Sequence, residues 1–170
     1  MNSILKQDIE RYPGGGGKNP SFQKWFRKAQ IEKNPLLKKV YKRIFWYLKD
    51  RNHIDLYVET NIGPGLYFCH PYCITINPSA VLGKNINIHK GVTIGQENRG
   101  RREGAPVIGD NVWIGVNATI VGAIHVGSDV LIAPNSYVNC DIPDHSIVFG
   151  NPCIIKHSDF ATKNYVNRAI

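Results

Sequence analysis

The chain has 170 residues and a formal charge of +8, from 21 Lys and Arg against 13 Asp and Glu. That length suits one repeat domain with an N-terminal appendage rather than two ordinary globular domains, and no run of about 18 apolar residues exists to cross a bilayer. Met1–Asn19 is polar and glycine-rich, unlike a secretory signal peptide, and Cys69, Cys73, Cys140 and Cys153 show no C-x-x-C pairing, so a cytoplasmic protein with free thiols and no metal is expected.

The first third is basic. Through His53 thirteen Lys and Arg face four Asp and Glu; from Ile54 onward the balance is eight against nine. Pro13 and Gly14–Gly17 read as a flexible connector. Gly17-Lys18 is no phosphate-binding loop, because no strand precedes it and Asn19 stands where Ser or Thr belongs. A short helix is predicted around Phe22–Lys33. A longer one starts at Asn34-Pro35, where Leu36, Leu37, Val40, Tyr41, Ile44, Phe45 and Leu48 recur at three- and four-residue spacing between Lys38, Lys39, Lys42 and Arg43. Such a basic, aromatic segment either touches an anionic partner such as lipid or nucleic acid, or is a solvated helical face.

From Ile62 the period changes to six. Ile62, Phe68 and Ile74 open the ladder, and the step from Ile74 to Ile76 breaks register by two. Ile76, Leu82, Ile88 and Ile94 form one clean run; Ile108, Ile114, Ile120, Val126, Ile132 and Val138 form another. A period of six fits neither a helix nor a lone strand, and marks a solenoid with three short faces per coil. Glycine follows the rung at Gly83, Gly95, Gly109, Gly115 and Gly127, where it is expected to relieve strained corners. Ile94 to Ile108 is one hexad plus eight extra residues, which fall in the polar stretch Gln96–Pro106 and are expected to protrude as a loop. Val58–Pro143 supplies four to five coils, a prism roughly 20–25 Å tall at about 4.8 Å per stacked strand. The expected organisation is a basic helical arm over 1–53, an all-β solenoid over 54–156 with its loop at 96–106, and a tail over 157–170.

With these residues laid out, the chain resembles the hexapeptide-repeat acyltransferases with a left-handed parallel β-helix. Within them it is similar to the serine acetyltransferase-like branch, which includes O-acetyltransferases of capsule and exopolysaccharide synthesis. The resemblance covers roughly Asp55–Lys156 and rests on IGPGLYFCHPYCITINPSAVLGKN, GVTIGQENRGRREGAPVIGDNVWIG and DIPDHSIVFGNPCIIK. It implies the left-handed coil, against the usual crossover rule, and a homotrimer with acetyl-CoA in the groove between neighbouring prisms. It implies that His70 is the general base and that Asp55, fifteen residues earlier, orients it. A hydroxyl is a poor nucleophile until a base accepts its proton, and neutral imidazole suits that step.

For acetyl-CoA the resemblance points to backbone groups at coil corners, hence Gly95, Gly115, Asn117, Ala118, Ala133, Asn135 and Ser136, with Lys156 near the nucleotide end. Small residues also suit tight corners. For the acceptor it points to the loop with Asn98, Arg99, Arg101 and Arg102. His89 is either an exposed coil residue or a second active-site group facing the loop. Serine acetyltransferases close the loop with an arginine and a second histidine, whereas Gly104 and Ala105 stand at those positions here, and Cys69 replaces an aspartate commonly found beside the catalytic histidine. The expected reaction is therefore acetyl transfer to a sugar hydroxyl of a capsule or exopolysaccharide precursor, with serine as the alternative acceptor and a non-catalytic trimeric scaffold as the competing class. No nucleic-acid partner is expected; peripheral membrane contact belongs to the arm. Cys69 as a nucleophile paired with His70 is geometrically awkward, because adjacent strand residues face opposite ways. His125 and His145 are read as structural, and His53 and His157 carry no discernible role.

Overall fold

The computed structural model describes residues 3–13 and 20–170; the Gly14–Gly17 connector and Lys18 lie outside them. Three helices, α1 (Ser3–Glu10), α2 (Ser21–Ile31) and α3 (Pro35–Asp50), precede fifteen short strands. These are β1 (Ile54–Asp55), β2 (Asn61–Ile62), β3 (Tyr67–Cys69), β4 (Ile74–Ile76), β5 (Val81–Leu82), β6 (Asn87–His89), β7 (Thr93–Gly95), β8 (Val107–Ile108), β9 (Val112–Ile114), β10 (Thr119–Val121), β11 (His125–Val126), β12 (Val130–Ile132), β13 (Tyr137–Val138), β14 (Ser146–Phe149) and β15 (Ile154–His157). They build a left-handed parallel β-helix of about five turns. Face A stacks β1-β4-β7-β10-β13, face B stacks β2-β5-β8-β11, and face C stacks β3-β6-β9-β12-β14, closed by the antiparallel β15.

The inward positions are the aliphatic ladder. Ile76, Ile94 and Ile120 stack on face A and Leu82, Ile108 and Val126 on face B, all buried in one continuous core. The first break in period lies elsewhere than expected. Ile74 pairs with Ile54 and Phe68 with Ile88, while Ile76 pairs with Ile94, so the two extra residues sit at the corner His70–Cys73. Ile74 and Ile76 both point inward because a strand alternates, which hid this from the spacing.

The glycines after the rungs also act differently from expectation. None of Gly83, Gly95, Gly109, Gly115 and Gly127 has a positive φ. At Gly109 a Cβ would come within 2.8 Å of Gly127 in the coil above, and at Gly115 within 2.6 Å of Pro134, so close coil approach excludes a side chain there. The left-handed corners are instead taken by Asn85, Asn111, Asp129 and His145 between faces B and C, and by Cys73, Gly91, Asn117 and Asn135 between faces C and A. Asn and Asp tolerate that region through local hydrogen bonds.

The helices cover the open lower end of the first coil. β2 and β3 have no strand beneath them, which would leave a row of unpaired backbone groups. Side chains supply the missing partners. Asp8 accepts from the N–H of Gly65 (2.9 Å) and Leu66 (3.0 Å), and Gln23 donates to the Leu66 carbonyl at 2.8 Å. The Tyr12 hydroxyl accepts from Phe68 N–H at 2.9 Å, and Arg27 donates to the carbonyls of Ile62 and Gly63. Arg27 and Asp8 pair at 2.8 Å with no solvent exposure at either side chain. Helix α1 was not expected, because its buried face carries Asp8 as well as Leu5.

Helix α3 starts at Pro35, with Asn34 accepting from Leu36 N–H and Leu37 N–H as N-cap. Its predicted apolar stripe divides between two sides. Phe45 packs on Phe26 in the core, whereas Leu36, Leu37 and Val40 face solvent.

The expected loop leaves the A–B corner after β7. Glu97 and Gly104 exchange two backbone hydrogen bonds of 3.0 Å, and Arg102 pairs with Glu97 at 3.0 Å. At the other end, residues 158–170 descend the outside of face C. Asp129 accepts from Ala161 N–H and Thr162 N–H, Asn87 donates to the Tyr165 carbonyl, and Asn85 and Ile170 bond reciprocally. The four cysteines are free, with Cys140 and Cys153 sulfurs 3.7 Å apart.

Candidate active site

The widened corner between β3 and β4 is the structural reason for His70's exposure. His70 leaves the strand in left-handed geometry (φ 55°) and opens onto a cavity of about 530 Å³, lined also by Tyr12, Asn52, Tyr67, Cys69 and Pro71. Outward positions on β3 and β6 surround it. Cys69 pairs in register with His89, whose ring lies 4.6 Å from Trp113 on β9. Burial, and secondarily the nearby charge of His70, holds His89 below the ordinary histidine range. His89 is therefore a neutral neighbour of His70 near physiological pH.

Asp55 sits on β1, exposed and in register with Thr75, one coil below the strand that His70's corner feeds. Among the described residues no hydrogen bond or ion pair joins Asp55 to His70. Cys69 shares the outer side of face C with His89, and burial pushes its thiol above the ordinary range, with a hydrogen bond to Tyr67 opposing. His70 itself lies past the strand end, so the opposite-face reasoning does not apply to it; the raised thiol is the better ground against a Cys69 nucleophile.

Six of the expected acetyl-CoA positions, Gly115, Asn117, Ala118, Ala133, Asn135 and Ser136, stack on the C–A edge above His70 and His89. Ala118 and Ser136 are buried, and the Ser136 hydroxyl donates to the Ala133 carbonyl. The amide N–H of all six is already used within the solenoid, for instance Asn117 to Lys90 and Asn135 to Val116. The carbonyls of Gly115, Ala118, Ala133 and Ser136 accept within the solenoid as well, so what the edge offers a ligand is chiefly the exposed side-chain amides of Asn117 and Asn135, which can both donate and accept. Lys156 lies on β15 at the top of face C, its ammonium 5.6 Å from the Phe149 ring.

Gly95 and the loop residues belong to a different edge. Asn98 and Arg99 border a cavity with Tyr137 of β13, while Arg101 and Arg102 are exposed on the loop. Within one chain, His89 faces the C side and not this loop. Spacing did not reveal Arg11, Trp113, Tyr165 and Arg168, which wall a second cavity beside His89. Only the alternation that points Trp113 outward from β9 hinted at it. Among the described residues no group of three His, Cys, Asp or Glu is arranged to hold a metal.

The family model described as "Bacterial transferase hexapeptide (six repeats)" matches residues 105–140. Serine acetyltransferase 2 of Arabidopsis thaliana is 35% identical over 99 residues, 58% of this chain and 31% of that protein. The Staphylococcus aureus serine acetyltransferase is 35% identical over 106 residues, covering 62% and 50%. Among solved structures, a serine acetyltransferase from Brucella abortus superposes with a TM-score of 0.67 at 30% identity, covering 82% of this chain and 57% of that one. The Neisseria gonorrhoeae enzyme in complex with serine gives 0.63 at 32%, covering 79% and 55%. A serine acetyltransferase complex with CoA gives 0.63 at 27%, covering 79% and 55%. The chain thus spans about half the length, or less, of the curated relatives it matches.

Proposed function

We propose that this chain, a hexapeptide-repeat protein of the serine acetyltransferase-like branch, transfers an acetyl group from acetyl-CoA to an acceptor hydroxyl. The observation that carries this is His70, set by a two-residue widening at the foot of an edge whose corners are small, and open to a cavity. His70 takes the hydroxyl proton as the oxygen attacks the thioester carbonyl. CoA thiolate then departs and is protonated, with no covalent enzyme intermediate. Asp55 is assigned by motif position the role of fixing the imidazole tautomer.

Two acceptors compete. The relatives are serine acetyltransferases and some of their structures hold serine or cysteine, which favours L-serine over the capsule sugar that the loop sequence suggested. A sugar hydroxyl remains the second reading, on one observation: Cys69, Gly104 and Ala105 stand where a serine-specific site carries charged or imidazole groups. A non-catalytic scaffold is the third, and His70's exposure to a cavity speaks against it.

The assembly proposed is a trimer. The loop bearing Asn98, Arg99, Arg101 and Arg102 lies on a different edge from His70, so a neighbouring prism would bring the two together. The arm is assigned a peripheral contact with anionic lipid through the outer side of α3. With acetyl-CoA as donor the reaction belongs in the cytoplasm.

The test is CoA release from acetyl-CoA with L-serine and with a panel of nucleotide sugars and oligosaccharides. His70→Ala should lower turnover about 10²–10⁴-fold. Turnover on serine alone fixes that acceptor, and turnover on a sugar alone fixes the other. Equal rates for the variant and the parent would remove His70 from the mechanism.

A further inference from the structure

The C-terminal segment does not lie flat on face C. Between it and β3, β6 and β9 it leaves a cavity of about 330 Å³. Arg11 and Arg168 stand on its walls with His89, Trp113, Tyr165 and Asn164, and no Asp or Glu is among the lining residues. The cavity shares Tyr67 and Cys69 with the one that holds His70, so the two are neighbours along the outer side of face C.

The charges in it lack counter-ions. Arg11 is buried and donates only to neutral acceptors: the Gly65 carbonyl at 2.8 Å, the Asn87 amide oxygen at 2.6 Å, the Asn167 carbonyl at 3.0 Å and, more weakly, the Asn85 amide oxygen at 3.4 Å. The nearby Asp8 carboxylate is engaged by Arg27. Burial, with a smaller effect of the Arg168 charge, lowers the Arg11 guanidinium to about 10. Arg168 is held in left-handed backbone (φ 53°), and among the described residues no carboxylate pairs with it. A buried guanidinium and an exposed one, with no acid among the lining residues, give the cavity a positive field that favours an anion there. A guanidinium fork matches a carboxylate in two parallel hydrogen bonds, and Trp113 and Tyr165, 5.1 Å apart, offer an apolar wall for a carbon skeleton.

We propose that this cavity seats the carboxylate of the acceptor, with Arg168 as its specificity-determining residue, so that the acceptor's hydroxyl reaches His70. The proposal rests on the acyl-transfer reading of His70. The carboxylate has two sources: a small hydroxy-amino acid or an acidic sugar. Arg168 comes from the tail, so acceptor choice is made by a segment outside the repeat.

The experiment compares each acid with its neutral amide, L-serine against L-serinamide and D-glucuronic acid against D-glucuronamide, using the full chain. In the arm holding the true acceptor class, the wild type should prefer acid to amide by roughly 10- to 100-fold in kcat/KM, as expected for a charge-assisted hydrogen bond, with the difference in KM. Arg168→Ala should bring that ratio to about one, and Arg168→Lys should restore part of it. Transfer to hydroxyl acceptors with no acid preference, or a preference that survives Arg168→Ala, overturns the cavity assignment and leaves the acyl-transfer reading standing. Calorimetric titration with the same four compounds separates the converse case. Acid binding that Arg168→Ala abolishes, without transfer to any acceptor, supports the cavity and removes the transfer reading. Absence of both transfer and acid binding removes both.

Discussion

Asp129 fastens the segment that carries Arg168. It occupies a left-handed corner (φ 54°), and its carboxylate accepts from the N–H groups of Ala161 and Thr162, from the Thr162 hydroxyl and from His145 Nδ1 at 2.9 Å. Partial burial alone would raise this carboxyl, but the hydrogen bonds outweigh it and hold it below the usual carboxylate range. His145, exposed beside it, is raised above the ordinary histidine range, first by that hydrogen bond. A depressed carboxyl contributes stability that is fully present above its unfolded value and lost as pH falls through the folded one. A raised histidine contributes below its unfolded value and loses it as pH rises through the folded one. The tail is therefore held best between those limits, in mildly acidic to near-neutral solution. Trp113 reports on docking through its contact with Tyr165. With Trp25 and Trp46 replaced by Phe and His89 by Gln, so that no imidazole titrates against the reporter, Trp113 fluorescence should change in one step below the usual carboxylate range. Asp129→Asn should abolish that step and show a released tail already at neutral pH. An acid step unchanged in the variant would place the fastening elsewhere.

Helix α3 exposes apolar and basic side chains together. Leu36, Trp46 and Tyr47 are 72%, 60% and 66% exposed, and Lys39 and Arg43 lie among them, bordering a shallow cavity with Lys42 and Trp46. Aromatic side chains flanked by cations suit the interface of an anionic bilayer. Deleting the arm is a poor test, because α1 and α2 cover the backbone of the first coil. The point variants Lys39→Glu and Arg43→Glu together should weaken sedimentation with anionic vesicles roughly tenfold or more, at about 1 kcal/mol per cation near the surface, and added salt should do the same. Sedimentation indifferent to both would end the lipid assignment, and a change of assembly mass in the variants would give this face to another copy. The same helix shows how far the sequence was legible. Its start and amphipathic period were readable from Asn34-Pro35 and the leucines, but which apolar residues face the core depends on where α2 lies, and that is not local information. Helix α1 was illegible because its inward side chains are polar groups that replace a missing strand. The solenoid was legible because every inward position must be aliphatic; the offset at His70–Cys73 was not, since either isoleucine satisfied the pattern. His70 was found by motif. The wall of Arg11, Trp113 and Arg168 was missed because it draws on three segments far apart in the chain, with no common period.

At the scale of the molecule, the prism places its chemistry on two edges that do not meet. His70 and His89 lie where face C turns into face A, and the Gln96–Pro106 loop leaves where face A turns into face B. On the acyl-transfer reading proposed above, a single chain would have a base without its loop and a loop without its base. The proposed trimer, a three-fold ring of parallel prisms, would set one edge of each chain against a different edge of the next, a heterologous contact that closes after three copies. That geometry predicts complementation. His70→Ala leaves the loop intact, and a chain with Arg99, Arg101 and Arg102 all replaced by Ala leaves the base intact, so each alone should be nearly inactive. Unfolded together in equal amounts and refolded, they form mixed rings in which about a quarter of the interfaces pair an intact base with an intact loop, by random assortment in a cyclic trimer. Activity should return to roughly that fraction of wild type, and neither variant refolded alone should recover. Mixed rings that stay inactive, with their composition verified by mass, would mean that base and loop must come from one chain; the separation of the two edges would then have to be closed by movement of the loop rather than by a neighbour.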